Sequence, residues 1–291
     1  MIVKLLNLAV FVLTFPNHLF IFNSFRGKTD SVICIQILKF VTMSRKPVGS
    51  MFHHQSLVEF VTGLLILLLA GLPLLFHYDK GDILFKLNSM GTPFLDSFFR
   101  IYTFMGYGMV MVILAVVFLF VKYYYSVLFM LILIMCGVVS FCCKELLFPG
   151  LVRPAAEIDF ELLPNVIQGI DFHHYGSFPS GHTMTAFASA VVCCFYFKRR
   201  GIGLVMLLLA VLVAVSRVYL LQHFYMDVYT GAIIGTILAL GVHYLLGMKL
   251  QWQEHDKLNR NLLLDISTKR KKKLTGSFWS MSFFVRREFI D

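Results

Sequence analysis

Six stretches of this chain, residues 57–76, 101–121, 124–143, 183–197, 202–221 and 228–246, are apolar and nearly free of charge. A helix needs about 20 mostly apolar residues to cross the hydrocarbon core of a bilayer, whereas a helix in a soluble core is usually amphipathic and shorter. The third and fifth stretches carry no charge over most of their length, which argues against a soluble globule. Composition agrees, with 58% hydrophobic and 14% charged residues against roughly 45–50% and 25% in an average soluble domain. The expected fold is all-α, a polytopic membrane protein with six core transmembrane helices in a bundle. The fourth stretch is short for a span, and Pro179-Ser180-Gly181-His182 before it would supply its first turn.

Three regions follow from this pattern: an N-terminal segment 1–50, a six-helix membrane domain 51–248 and a basic tail 249–291. The first contains an apolar stretch interrupted by Pro16, Asn17 and His18. It reads as an extra hydrophobic segment, a signal-like segment or, by a narrow preference, a translated region ahead of a start at Met43 or Met51. The net charge of +10 is concentrated in the tail, densest at Lys269-Arg270-Lys271-Lys272-Lys273. Beside a membrane helix such a block is an anchor for anionic headgroups rather than a nucleic-acid site. Arg45 and Lys46, Lys122, Lys198-Arg199-Arg200 and the tail all fall on one side of the spans. Short cytoplasmic loops carry the positive excess, so both termini are expected in the cytoplasm and segment 144–182 outside. Residues 79–100 read as an amphipathic surface helix in the outer interface or, equally, as a solvated connector. The six cysteines lie in or beside apolar segments and are expected to pack as small hydrophobes without a structural disulfide. No metal-ligand spacing stands out.

Against this apolar background, three polar clusters gather at helix ends on the outer side, at the membrane–water interface. They are Lys144 with Arg153-Pro154, then Pro179-Ser180-Gly181-His182, then Ser216-Arg217 followed by His223 and Asp227. Charged groups near membrane depth are costly and therefore usually functional. Lys144, Arg153 and Arg217 can neutralise a tetrahedral dianion, the arginines through planar bidentate contacts. Ser180 and the Gly181 amide stand at a helix start, where unpaired N–H groups and the dipole favour an anion. Asp227 follows His223 by four residues and so shares its helical face. A carboxylate holding one imidazole N–H leaves the other nitrogen free to attack, as in hydrolase triads. His223 is the expected nucleophile, Asp227 its orienting partner, and His182 the general acid and then base. Arg217 and His223 are six residues apart and would face different sides of an unbroken helix, so the helix is expected to end between Leu220 and His223 and restart near Phe224. By average residue frequencies either of the last two clusters arises by chance in a chain this long on the order of one time in a thousand. Glu157, Asp159, Glu161, Asp171, His173 and His174 read as solvated loop polarity, and Gly231-x-x-x-Gly235 as a close helix contact.

These residues resemble the type 2 phosphatidic acid phosphatase superfamily, whose pattern is Lys-x6-Arg-Pro, Pro-Ser-Gly-His and Ser-Arg-x5-His-x3-Asp. The second and third blocks match at every fixed position, through Pro179, Ser180, Gly181, His182, Ser216, Arg217, His223 and Asp227. In the first block eight residues rather than six separate Lys144 from Arg153, and a turn at Phe148-Pro149-Gly150 would absorb the two extra. The resemblance spans roughly residues 55–247. It implies dephosphorylation of a membrane lipid phosphate or diphosphate without metal or other cofactor, with the bilayer as the other partner and no nucleic acid; the alternatives are transfer of the phosphate to another lipid and a non-catalytic lipid-phosphate binder or transporter. Candidate substrates are phosphatidate, phosphatidylglycerol phosphate, polyprenyl diphosphate and the phosphates of lipid A. The expected setting is a bacterial inner (plasma) membrane, the site facing the periplasm or exterior, with Ala186 and Ala190 lining lateral access for the lipid.

Overall fold

In the computed structural model, residues 54–159, 163, 165, 167 and 170–268 are described, all within the compact unit Lys46–Asp291. The N-terminal region 1–50, Glu161 and the basic block 269–273 lie outside the described residues. The described chain is helical, its one β-contact an isolated bridge between Val152 and Tyr175. Its helices are α1 (Gln55–Gly71), α2 (Leu74–His77), α3 (Asp82–Ser89), α4 (Pro93–Tyr102), α5 (Gly108–Leu119), α6 (Tyr123–Phe141), α7 (Pro154–Glu157), α8 (Gly181–Tyr196), α9 (Ile202–Tyr219) and α10 (Tyr225–His243). Four continuous helical segments, Gln55–His77, Tyr123–Leu147, Ile202–Tyr219 and Tyr225–Lys249, are long and apolar enough to cross a membrane. A fifth arises if Pro93–Gly106 and Gly108–Leu119, bent by 58°, count as one span. The chain is an integral membrane protein. The fourth apolar stretch forms α8, whose 16 residues give a helix of roughly 24 Å, shorter than a full crossing.

Two expectations change in detail. Residues 79–100 form two short helices instead of one, because Met90-Gly91 breaks the run and Thr92 caps α4, its hydroxyl accepting from the Leu95 amide at 3.3 Å. The second apolar stretch also lacks a straight helix. Its first residues belong to α4, which tightens into a 3₁₀ turn at Thr103–Gly106 before α5 begins.

Core packing is organised around α8, which touches α1, α5, α6, α9 and α10 and is buried along most of its length. The Gly-x-x-x-Gly pair does what its spacing suggests. A Cβ on Gly231 would stand 2.8 Å from the Ser180 carbonyl, and one on Gly235 only 2.2 Å from the Met184 carbonyl. The backbones of α8 and α10 are therefore in direct contact. Near the chain ends of α4 and α9, Asn165 ties the long segment down, its amide donating to Asn88 Oδ1 at 3.0 Å and its side chain to Asp96 Oδ1 at 3.0 Å. The Tyr219 hydroxyl donates to the same Asp96 oxygen.

Candidate active site

Helix α9 ends at Tyr219 and α10 begins at Tyr225, the interruption that the offset between Arg217 and His223 requires. The Arg217 carbonyl accepts from the amides of both Gln222 (3.0 Å) and His223 (3.2 Å). Leu221 between them takes a left-handed conformation with φ of 57°, a geometry that L-residues other than Asn and Asp rarely adopt. Its side chain is buried with Leu84, Leu163, Val218, Phe224 and Val228, and that packing offsets the backbone cost. This reversal turns His223 back toward the face of Arg217.

His223 is buried, 1% exposed, and its Nδ1–H donates to Asp227 Oδ2 at 3.3 Å, which leaves Nε2 as the free nitrogen. The same carboxylate oxygen accepts from the Phe224 amide at 3.0 Å and from the Ser177 hydroxyl, while the Asp227 carbonyl accepts from the Ser180 amide at 3.1 Å. Burial lowers the pKa of the His223 imidazole to about 4, although Asp227 acts in the opposite direction. The desolvation of a cation outweighs one carboxylate here.

Ser180 caps α8, its hydroxyl accepting from the Thr183 amide at 3.4 Å and hydroxyl at 3.0 Å. Gly181 and His182 form the first turn. His182 lies within electrostatic reach of Arg217, His223, Arg153 and Lys144. Its Nε2 is buried without a hydrogen-bond partner among the described residues, and so is Arg217 Nε. Two buried polar atoms without partners at one place are expensive unless a ligand completes them. Lys144 sits in a widened π-helical turn, Cys142–Leu147, that ends α6, and its charge reaches Arg153, Asp227 and Arg217. The turn between Lys144 and Arg153 contains Gly150 at φ of 85°, a left-handed geometry that suits glycine. Burial lowers the pKa of Arg153, with Asp227 opposing. The structure thus brings Lys144, Arg153, Ser180, Gly181, His182, Arg217, His223 and Asp227 to one end of the bundle.

Two participants carry no signal in the sequence motifs. Ser177 is one, through its bond to Asp227. Gln222, 4% exposed, is the other, since its Oε1 accepts from Arg153 Nη1 at 3.5 Å and Arg217 Nη2 at 3.4 Å while its Nε2 donates to the Asp171 carbonyl at 3.2 Å. One amide therefore spans both guanidinium groups. Gln222→Leu, which keeps bulk but removes the acceptor, is expected to weaken competitive inhibition by inorganic phosphate about tenfold. An unchanged inhibition constant would show that the arginines hold their positions unaided.

The other acidic and histidine candidates lie on the surface. Glu157 pairs with Lys80, and Asp159, Asp171, His173 and His174 are exposed. Ala186 and Ala190 correct an expectation: they are 7% and 6% exposed within the main core, so they line no access route from the bilayer.

An apolar helix bundle carrying three cations, two imidazoles and a carboxylate at one end defines a class, the membrane proteins with a candidate oxyanion site. Residues 125–251 match the PAP2 superfamily, the superfamily of type 2 phosphatidic acid phosphatases that the sequence motifs resemble. It is 35% identical over 85 residues to a bacitracin transport permease protein, BcrC, of Bacillus licheniformis, a match covering 29% of this chain and 41% of that protein. The chain thus spans less than half the length of that curated relative. Among solved structures it resembles LpxE of Aquifex aeolicus at 27% identity and a TM-score of 0.44, covering 56% of this chain and 93% of that one. A transmembrane PAP2-type phosphatidylglycerolphosphate phosphatase from Bacillus subtilis is similar at 24% identity and a TM-score of 0.46, covering 65% and 94%.

Proposed function

We propose that this protein is an integral-membrane phosphatase of lipid phosphates or diphosphates, acting without metal through a phosphohistidine on His223. The observation that carries this reading is the buried His223, oriented by Asp227 at 3.3 Å, within electrostatic reach of two arginines. Lys144, Arg153, Arg217, Ser180 and the Gly181 amide hold the phosphoryl oxygens. His223 Nε2 attacks phosphorus, the bond to the lipid oxygen breaks, and His182 protonates that oxygen. His182 then takes a proton from water as it attacks, the P–N bond breaks, and phosphate leaves. Six core helices serve as the frame, with α4 to α5 as a bent second span and α8 as a short fourth. Lys122 and Lys198-Arg199-Arg200 lie at the helix ends opposite the site, which supports a site facing the periplasm or exterior of an inner (plasma) membrane and a cytoplasmic C-terminus. Phosphatidate, phosphatidylglycerol phosphate, polyprenyl diphosphate and lipid A phosphate are the substrates to test.

The purified protein in detergent, with EDTA present, is expected to release inorganic phosphate from at least one of these lipids. Release from none would overturn the proposal, and label passing to a lipid acceptor would make it a phosphotransferase. In sealed right-side-out vesicles, an impermeant substrate that stays intact would reverse the orientation. The pH profile of kcat/KM, corrected for the substrate's own ionisation, is expected to rise as pH climbs through about 4, because the nucleophile must be neutral. In kcat the limb moves to higher pH, since a bound phosphate anion favours the imidazolium. Between about 4 in the folded protein and the ordinary 6.5 the unfolded chain binds a proton that the folded one does not, so this group makes stability rise with pH in that window.

A further inference from the structure

Beyond His182 the site is walled by the break in the bent span. Gly106 brings the backbone against α8 so closely that a Cβ there would stand 2.9 Å from His182 Cβ and 2.7 Å from Val213. Its carbonyl accepts from the Thr185 hydroxyl. Three residues earlier, the Thr103 hydroxyl accepts from Arg217 Nη1 at 2.8 Å. The break is thus fixed to the phosphate-binding arginine at one end and to the second histidine at the other. Tyr107, the next residue, sets its ring edge-on to His182, with centroids 4.5 Å apart at 76°. Phe104 stacks on Tyr107 at 5.2 Å and 21°. Both rings remain open on their outer side, at 44% and 57% exposure.

We infer that Tyr107, with Phe104 behind it, is the surface on which the hydrocarbon part of the leaving group lies, so that Tyr107 sets the preference for long-chain substrates. The inference rests on the reading of His182 as the acid that protonates the leaving oxygen. An acid must touch the atom it protonates, and displacement at phosphorus sends the leaving group out opposite the nucleophile. The lipid therefore departs on the His182 side, away from His223. The aromatic pair adjoins His182 on that side, and it offers an apolar face toward the bilayer with a polar hydroxyl within reach of the headgroup, the amphipathic character that suits Tyr to a membrane interface. The neighbouring small residues on α8, Ala186 and Ala190, are enclosed by other helices and present no such face.

The test compares one lipid phosphate that the wild type hydrolyses with 16-carbon chains and its analogue with 4-carbon chains. In Tyr107→Ala the ratio of kcat/KM, long over short, is expected to fall about tenfold, as the loss of apolar contact with a chain predicts, while Tyr107→Phe keeps the ratio. An unchanged ratio in Tyr107→Ala, including an equal fall for both substrates, overturns the inference and leaves the phosphatase reading standing. Should Tyr107→Ala fail to fold, Phe104→Ala carries the same comparison with the same outcomes. If the wild type hydrolyses no lipid phosphate, the functional reading itself falls and this inference falls with it.

Discussion

His223→Ala is expected to lower kcat/KM for phosphate release by about 10⁴-fold or more. The expectation follows from the absence of a substitute: His182 is the other imidazole in the cluster, and it lies beside Tyr107 without a carboxylate bonded to its ring. Competitive binding of inorganic phosphate by the variant reports an intact cradle. Brief reaction with radiolabelled substrate followed by an alkaline quench, in which a phosphohistidine survives, should leave label on the wild-type protein and none on the variant. Full activity in His223→Ala would sink the proposed mechanism. Asp227→Asn should lose somewhat less, about 10²- to 10⁴-fold, since the amide keeps the shape and an acceptor oxygen but loses the negative charge that offsets the positive charge arising on the imidazole as it attacks.

The largest structural effect is expected at Gly235. A Cβ there would stand 2.2 Å from the Met184 carbonyl and 2.8 Å from its Cα, both backbone atoms of α8 that cannot rotate away. Gly235→Val must push α10 off α8, at a cost of about 3 kcal/mol, a large part of the stability of a typical domain. The measurable result is a lowered thermal midpoint in detergent and reduced recovery of folded protein. Wild-type values for both would mean that the two helices are free to separate. At Gly231 the obstruction is milder, 2.8 Å from the Ser180 carbonyl, but it falls on the residue that caps the anion-binding turn.

What the sequence revealed divides along a physical line. Asp227 four residues after His223, and Arg217 six before it, are local relations, so a helix break between them is implied by geometry alone. Leu221 at φ of 57° is the form that break takes, although no glycine marks it. Gln222, Ser177 and Thr103 were not legible, because an amide or a hydroxyl is common in any chain and their partners are set by tertiary contact; Thr103 and Arg217 are 114 positions apart. The bend in the second span was hidden for a different reason. Residues 101–121 are uniformly apolar, and hydropathy is blind to a 3₁₀ turn. Ala186 and Ala190 were misplaced for a third, since in lipid a helix-facing surface is as apolar as a lipid-facing one and small residues mark the former.

The contact between α8 and α10 also bears on how such a protein diversifies. Because Ser180 and Met184 rest on Gly231 and Gly235, the start of α8 and the helix that carries Asp227 form a single splinted piece whose spacing is set by backbone contact. A replacement that changes the molecule accepted without disturbing this contact must then fall elsewhere, such as in the bent span.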